Sequence, residues 1–425
     1  MVKSNPIIFY LTEKTMHLSF NKNIKRFLTT TLLYGFTFSI WELFFNLYIL
    51  SLGFSNDTLG LVRSAPPLAA LIFGLPLGVL SDRIGRRKSM LLGLSGCILG
   101  MIFQIQLTQP ILIFLFGLIQ GTGLMLYQVS QPPFIMAVSR EEDQALVFSL
   151  NFGLITLAAT IGNLVGGQLP KLFESTFSIV AGSASSYRWT ISSVILFAAI
   201  GLIPILMISE NQAFKNNRKN PLMNRKFFHD LMMNTVARRL ALINLITGFG
   251  AALLIPYLNV FLKSKFVISD NLLGLIFSIA SLLVFFGTMI SPWLVKLTRS
   301  RIIPTVSTQG LSLVFLFFLG FSPTLWIVFI GLLMRTVLMQ MSAPLLENLA
   351  MRMTPPSEQG LIASVRGIAW QFGQTIGIFI SGLVQTRYGF SPLFITTGLL
   401  YTAAIFLTWI YFRPGEKETP YAGRT

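Results

Sequence analysis

Charge is scarce in this sequence. Of its 425 residues, 11% are Asp, Glu, Lys or Arg while 53% are hydrophobic, and the mean hydropathy is +0.70. Soluble domains carry about a quarter charged residues, so folding in water would leave large apolar surfaces uncovered. A bilayer removes that cost, because lipid accepts apolar side chains all round a helix. Length alone would suggest two or three soluble domains, a reading the uniformly apolar segments exclude. Cysteine and histidine are scarcer still. Cys97 stands alone inside an apolar run, which rules out a disulfide framework. His17 and His229 lie far apart in polar segments. One Cys and two His leave no material for a Cys/His metal site or catalytic pair, so neither metal nor cofactor is expected. No G-x-x-x-x-G-K-[ST] loop occurs, which excludes an ATP-driven pump within this chain. Acidic residues are outnumbered, 15 against 32 basic, for a net charge of +17. A nucleic-acid partner would need those cations gathered on one folded face. Here they fall in short polar breaks between apolar runs, and no nucleic acid is expected.

What is abundant is apolar runs of membrane length. A helical span takes about 20 apolar residues, and the sequence divides into twelve: 28–51, 58–81, 89–107, 111–138, 145–169, 188–209, 238–262, 271–295, 302–322, 325–350, 359–385 and 391–412. Pro132, Pro133 and several glycines interrupt the fourth and fifth. The fold class that follows is an all-α membrane protein. With the first residue on the cytoplasmic side, 24 of the 32 Lys and Arg fall on that side and five on the other, with Arg63, Arg335 and Arg366 inside spans. The positive-inside rule then places both termini in the cytoplasm. The organisation expected is a cytoplasmic tail over 1–27, a six-helix bundle over 28–209, a basic cytoplasmic linker over 210–237, a second bundle over 238–412 and a tail over 413–425. The tail before residue 27 holds Lys3, Lys14, Lys22, Lys25 and Arg26 and shows no small-residue cleavage site, so it reads as tail and not as removable signal. The linker region holds Lys215, Arg218, Lys219, Arg225, Lys226, Arg238 and Arg239. It reads as a solvated connector that obeys topology, with contact to anionic lipid as the other reading.

The halves repeat. Leu59-Gly60-Leu61 returns as Leu273-Gly274-Leu275 after 214 residues, Ser130-Gln131-Pro132 as Ser342-Ala343-Pro344 after 212, and Gly162 and Gly167 as Gly377 and Gly382 after 215. Six spans per half give the halves the same orientation, so their symmetry axis runs along the membrane normal. Transporters built this way bind substrate between the halves near the bilayer midplane.

Between the second and third spans stands Gly78-Val79-Leu80-Ser81-Asp82-Arg83-Ile84-Gly85-Arg86-Arg87-Lys88. It resembles the signature loop of the major facilitator superfamily, G-x-L-x-D-R-x-G-R-R-K, at every defining position. The resemblance implies a bacterial-type, twelve-helix transporter of the inner membrane, acting as a monomer. It further implies that this loop clasps the eleventh helix at the cytoplasmic side while the protein faces outward. Gly78 would let a helix approach, Gly85 would make the turn, and Asp82, with Arg83, Arg86 and Arg87 beside it, would meet a helix end or an arginine. The second half departs from the pattern, with Lys296 where Asp82 maps and Arg299 where Gly85 does. Gln120-Gly121-Thr122-Gly123 is similar to the family's R-x-x-Q-G-x-G motif, with Gly117 in place of the arginine. Gly162-Asn163-Leu164-Val165-Gly166-Gly167 resembles the G-P-x-x-G-G pattern of antiporters, with Asn163 for proline. Small residues so spaced also let helices pack.

Ionisable groups inside spans are costly, and each marks a candidate site. Glu42, Arg63, Arg335, Glu347 and Arg366 all fall on helices that the resemblance implies line the cavity (first, fourth, seventh, tenth) or flank it (second, fifth, eighth, eleventh). Glu42 is the candidate for proton coupling, or else the structural partner of Arg63. Arg335 is the candidate substrate contact, because a guanidinium can hold carboxylate or phosphate through two parallel hydrogen bonds. Glu347 and Arg366 lie at similar depth on neighbouring helices and suit a gating ion pair. Helical spacing adds Gln120, Tyr127 and Gln131 on one face of the fourth span and Trp370 and Gln374 on one face of the eleventh, beside Arg366 and Gly377; Asn244, Tyr257 and Asn259 mark the seventh. The function expected is a secondary active transporter of a small organic solute, coupled to an ion, H⁺ by preference, and exporting drugs or metabolites by antiport. Uptake of an organic anion or translocation of a lipid is the alternative. A membrane-embedded enzyme is a third reading, opposed by the shortage of His and Cys, so no enzyme activity is expected. Membrane lipids, the solute and the coupling ion are the partners.

Overall fold

The computed structural model describes residues 21–209, 234–352, 354 and 359–418. His17, His229 and the linker's basic cluster up to Lys226 lie outside the described residues. Within them, twelve helical spans are long and apolar enough to cross a membrane. They are α1 Lys22–Ser51, α2 Asn56–Ile84, α3 Arg86–Gln106, α4 Pro110–Val138, α5 Glu141–Phe177, α6 Ala184–Met207, α7 Thr235–Phe266, α8 Asp270–Thr298, α9 Ile302–Phe321, α10 Leu325–Glu347, α11 Ile362–Tyr388 and α12 Ser391–Arg413. No strand occurs among the described residues. The chain is a multi-pass, all-α membrane protein of two six-helix halves.

Twelve crossings bring the start of α1 and the end of α12 to one face, called here the near face; the opposite face is the far face. Pro132 and Pro133 do not break α4, which continues to Val138. The fifth span does break, at the turn 167–168 after Gly166, and a further break lies in the seventh. In α7 the helix Thr235–Leu254 gives way to a 3₁₀ turn, Ile255–Tyr257, before resuming as Leu258–Phe266. Pro256 causes it, since a proline lacks the N–H and crowds the preceding turn.

Within each half, glycine brings backbones into contact. A Cβ on Gly93 of α3 would lie 2.6 Å from Tyr127 N of α4, and one on Gly123 of α4 would lie 2.4 Å from Cys97 N of α3. Without a hydrophobic driving force between helices in lipid, such close packing is what holds them. Leu92, Phe317, Leu399 and Phe406 on the outer surfaces of α3, α9 and α12 are exposed, where acyl chains would cover them.

The halves meet at the far face. Gly60 of α2 abuts Gly382 of α11, where a Cβ on Gly60 would fall 2.8 Å from Gly382 Cα. Gly167 of α5 abuts Gly274 of α8 in the same way, a Cβ on Gly274 falling 2.4 Å from Asn163 O. Asn46 of α1 donates to the Pro256 carbonyl and to Asn259 Oδ1 (3.0 Å), and Asn259 Nδ2 donates to Leu43 O at 2.8 Å. Lys263 pairs with Asp270 and donates to Tyr187 Oη (2.8 Å), which ties α6 to α7 and α8. Near the other face the halves part. Beyond each glycine's own turn of helix, no described atom lies within 4 Å of where a Cβ would stand on Gly78 in α2 or Gly367 in α11.

Candidate functional site

Halves that touch at one end and part at the other enclose a wedge. It is a cavity of about 920 Å³ whose wall runs from Arg63 and Pro256 near the far-face seal to Glu347 and Arg366 toward the near face. A second chamber of about 470 Å³ opens beside it and shares Phe38, Glu42 and Pro256 as wall.

Two ion pairs stand in the larger cavity. Arg63 grips Glu42 through two parallel bonds, Nη1 to Oε1 at 3.0 Å and Nη2 to Oε2 at 2.6 Å. Seven residues into α2, about 10 Å along its axis, this pair sits at the closed end of the wedge. Glu347 of α10 and Arg366 of α11 pair at 2.6 Å. The Glu347 side chain is 52% exposed and the Arg366 side chain 11%, which places the carboxylate at the mouth.

Arg335 is different. It is 4% exposed, yet it lines the cavity. Nη2 donates to Tyr401 Oη at 3.0 Å, and the guanidinium carbon lies 5.8 Å from the Tyr401 ring centroid. Nε is buried with no hydrogen-bond partner among the described residues. Tyr401 reaches in from α12 and Gln309 from α9, two helices outside the lining and flanking sets that the resemblance implies. A phenol halfway along an apolar run was the available signal for Tyr401.

The other polar candidates divide. Gln120, Asn244, Trp370 and Gln374 line the larger cavity. Gln120 Oε1 accepts from Gln104 Nε2 (2.8 Å), Asn244 donates to Leu240 O (2.8 Å), and Gln374 donates to Gly248 O (2.9 Å). The Trp370 side chain stands 37% exposed on this wall. Tyr127 and Gln131 line the second chamber with Tyr34, Asn163 and Asn259. Tyr257 lines neither. Its hydroxyl donates to Ile378 O at 2.8 Å, which ties α7 to α11. Thirteen residues separate Tyr257 from Asn244, about 140° round a helix of 3.6 residues per turn, so the two stand on different faces. Among the described residues, no group of three or more His, Cys, Asp or Glu could hold a metal ion.

The loop from Gly78 to Lys88 is fastened to its own half. Arg86 pairs with Asp82 and donates to Ser81 Oγ at 3.0 Å, and Ser81 Oγ bonds Ser130 Oγ of α4 at 2.7 Å. Arg87 donates to the carbonyls of Ile205 and Leu206 at the end of α6, where a cation also complements the helix dipole. Arg83 is exposed. Gly85 turns the chain with φ +93°. The helix that Gly78 is expected to admit does not stand there, because the halves are apart at this face.

The sequence profile of the Major Facilitator Superfamily matches residues 27–239 and 240–424, one copy per half. An uncharacterized MFS-type transporter of Methanocaldococcus jannaschii, MJ1317, is 29% identical over 118 residues, a stretch covering 26% of this chain and 29% of that protein. Among solved structures, a bacterial homolog of the human lysosomal transporter Spinster, inward-facing and occupied, superposes with a TM-score of 0.73 at 13% identity, covering 96% of this chain and 98% of that one. The nucleoside transporter NupG gives 0.72 at 13% identity over 92% and 98%. A D-xylose–proton symporter gives 0.68 at 14% identity over 92% and 97%. At such identities these likenesses establish the fold.

Proposed function

The chain belongs to the major facilitator superfamily, and from that membership we propose that it is a secondary active transporter that exports a small organic solute by alternating access, in exchange for protons. The observation that carries this reading is the wedge, an interfacial cavity sealed at one face and reaching toward the other. A solute-sized chamber closed at one end is what alternating access requires. The excess of Lys and Arg at the near face makes that face cytoplasmic. Both termini are then cytoplasmic, and the conformation is inward-open. Residues 28–209 and 238–412 are the bundles that rock, joined by the 210–237 linker.

Glu42 is the proton site in this reading. It is the carboxylate deepest in the cavity, and it belongs to the wall that solvent reaches from one side at a time. Its pairing with Arg63 describes the state after a proton has left to the cytoplasm. On the opposite side a proton would neutralise Glu42 and loosen the pair, which couples titration to the contact between α1 and α2. The measurement is solute movement in proteoliposomes with and without an imposed pH gradient. Glu42→Gln keeps the shape and cannot ionise, so we expect it to abolish gradient-driven accumulation while sparing solute exchange. A Glu42→Gln protein that answers the gradient as strongly as the parent leaves Glu42 as the structural partner of Arg63 alone.

A further inference from the structure

Five ionisable side chains other than tyrosine line the main cavity: Glu42, Arg63, Arg335, Glu347 and Arg366. Two acids and two of the arginines neutralise each other as pairs at 2.6 Å. One positive charge is left. Arg335 has no carboxylate within 4.0 Å among the described residues. Glu347 lies twelve residues further along the same helix, about 18 Å away at the α-helical rise, so it cannot swing round to meet it. A guanidinium nine-tenths buried without a counter-ion is costly to hold. The chain offsets part of that cost with neutral groups, the Tyr401 hydroxyl and the face of its ring. Donors remain unspent, since Nε has no partner.

We propose that the cavity binds an organic anion carrying one negative charge, its carboxylate or phosphate-type head on Arg335 and its apolar body against Trp370. This inference rests on the transport reading and specifies its substrate class. A monoanion brings the cavity to neutrality. A cation would meet the surplus positive charge, and a neutral solute would leave the guanidinium uncompensated. The planar fork suits a two-oxygen head, and the half-exposed indole on α11 supplies an amphipathic face for an aromatic or aliphatic tail.

The test uses the full chain in lipid nanodiscs with three probes of one body: 4-phenylbutyrate, its amide and 4-phenylbutylamine. Binding is read by Trp fluorescence and by thermal shift. We expect the carboxylate to bind on the order of 10- to 100-fold tighter than the amide, the range of a charge-assisted bond, with the amine weakest. In Arg335→Gln the carboxylate should lose that advantage and the three should fall within a few-fold. Ligand-free Arg335→Gln should be at least as thermostable as the parent, because an uncompensated buried charge has gone; an arginine required for folding would give the reverse. Arg335→Lys should keep the preference for the anion at reduced affinity. Competition by lysophosphatidate, and none by lysophosphatidylcholine, would assign the anionic head to a lipid; competition by neither would assign it to soluble carboxylates. Equal or tighter binding of amide or amine, no carboxylate binding up to its solubility limit, or a carboxylate preference that survives Arg335→Gln each overturns the proposal. The transport reading fails separately: a carboxylate that binds through Arg335 but shows no counterflow in proteoliposomes leaves the anion site and removes the transporter.

Discussion

Gly85 and Arg299 occupy corresponding turns of the two halves, and the backbone treats them differently. Gly85 takes φ +93° and ψ 149°, a region essentially closed to residues with a Cβ. Arg299 takes φ +50° and ψ 26°, left-handed α, as the residue just past the end of α8. An L-residue tolerates that conformation at a cost of about 1 kcal/mol, and glycine is the usual occupant of the place. The two positions therefore predict opposite outcomes. Gly85→Ala should lower the midpoint of thermal unfolding, with a penalty of about 1–3 kcal/mol. Arg299→Gly should raise it, by up to about 1 kcal/mol, since Arg299 is exposed. Unfolding scans of purified protein in one detergent compare them; an Arg299→Gly protein less stable than the parent would contradict the assignment. The charged side chains of the cavity were legible, because ionisable groups in apolar runs have few other uses. Tyr257 was not, because a polar group on a buried helix can face the cavity or bond a neighbouring helix, as it does to Ile378 O, with the same sequence signal.

The helices themselves were nearly all legible, and their ends show why some residues were missed. Apolar length gives the tenth span as 325–350 and the twelfth as 391–412, within helices that run Leu325–Arg352 and Ser391–Glu418. At Lys22 the helix begins six residues before the apolar stretch, and after Gly166 a turn leads into a separate short helix, Leu169–Phe177. The long basic side chains Lys22, Lys25 and Arg26 make the first extension cheap, since their stems lie along apolar surface while the charge reaches water. The signature loop was legible as a motif but not as a set of contacts. Ser81 holds α4 and Arg87 holds α6, so the loop travels with the first half as one rigid piece. When the near face closes, that piece is the surface presented to α11, as the family resemblance implies. Asp82 lines neither chamber. Asp82→Asn should therefore leave affinity within a few-fold and slow transport about 10- to 100-fold, the worth of one charge-assisted bond in the closed state. A side-by-side assay of binding in nanodiscs and flux in proteoliposomes reads both, and full-rate flux would rule the clasp out.

At the scale of the molecule, the repeat seen in sequence becomes the seal between the halves. Gly60 and Gly274 are repeat partners, as are Gly167 and Gly382. In space they cross, Gly60 on Gly382 and Gly274 on Gly167, so one pseudo-symmetric contact is made twice. In the proposed transport cycle these contacts belong to the state with the far face shut. Opening that face must separate both pairs, which makes the four glycines a lever on the conformational equilibrium that touches no solute. A methyl group at Gly60 would fall 2.8 Å from Gly382 Cα, and one at Gly274 would fall 2.4 Å from Asn163 O. Both obstacles are backbone, which cannot swing aside. Overpacking of this kind costs about 1–3 kcal/mol, and in the far-open state the same methyl meets no such neighbour. Gly60→Ala and Gly274→Ala should each shift the population away from the near-open state by on the order of 10-fold or more. Cys97 is the lone cysteine, so Cys97→Ser gives a blank background, and Ala343 on the cavity wall can carry a single reporter thiol. In that background a membrane-impermeant maleimide should label residue 343 from the near face, and either alanine should suppress that labelling. Glu42→Gln and Arg335→Gln, at the proposed ion and solute sites, should not reproduce that loss in the absence of a gradient. Labelling that stays on the near face in both alanine variants would mean that the glycine contacts follow closure and do not set it.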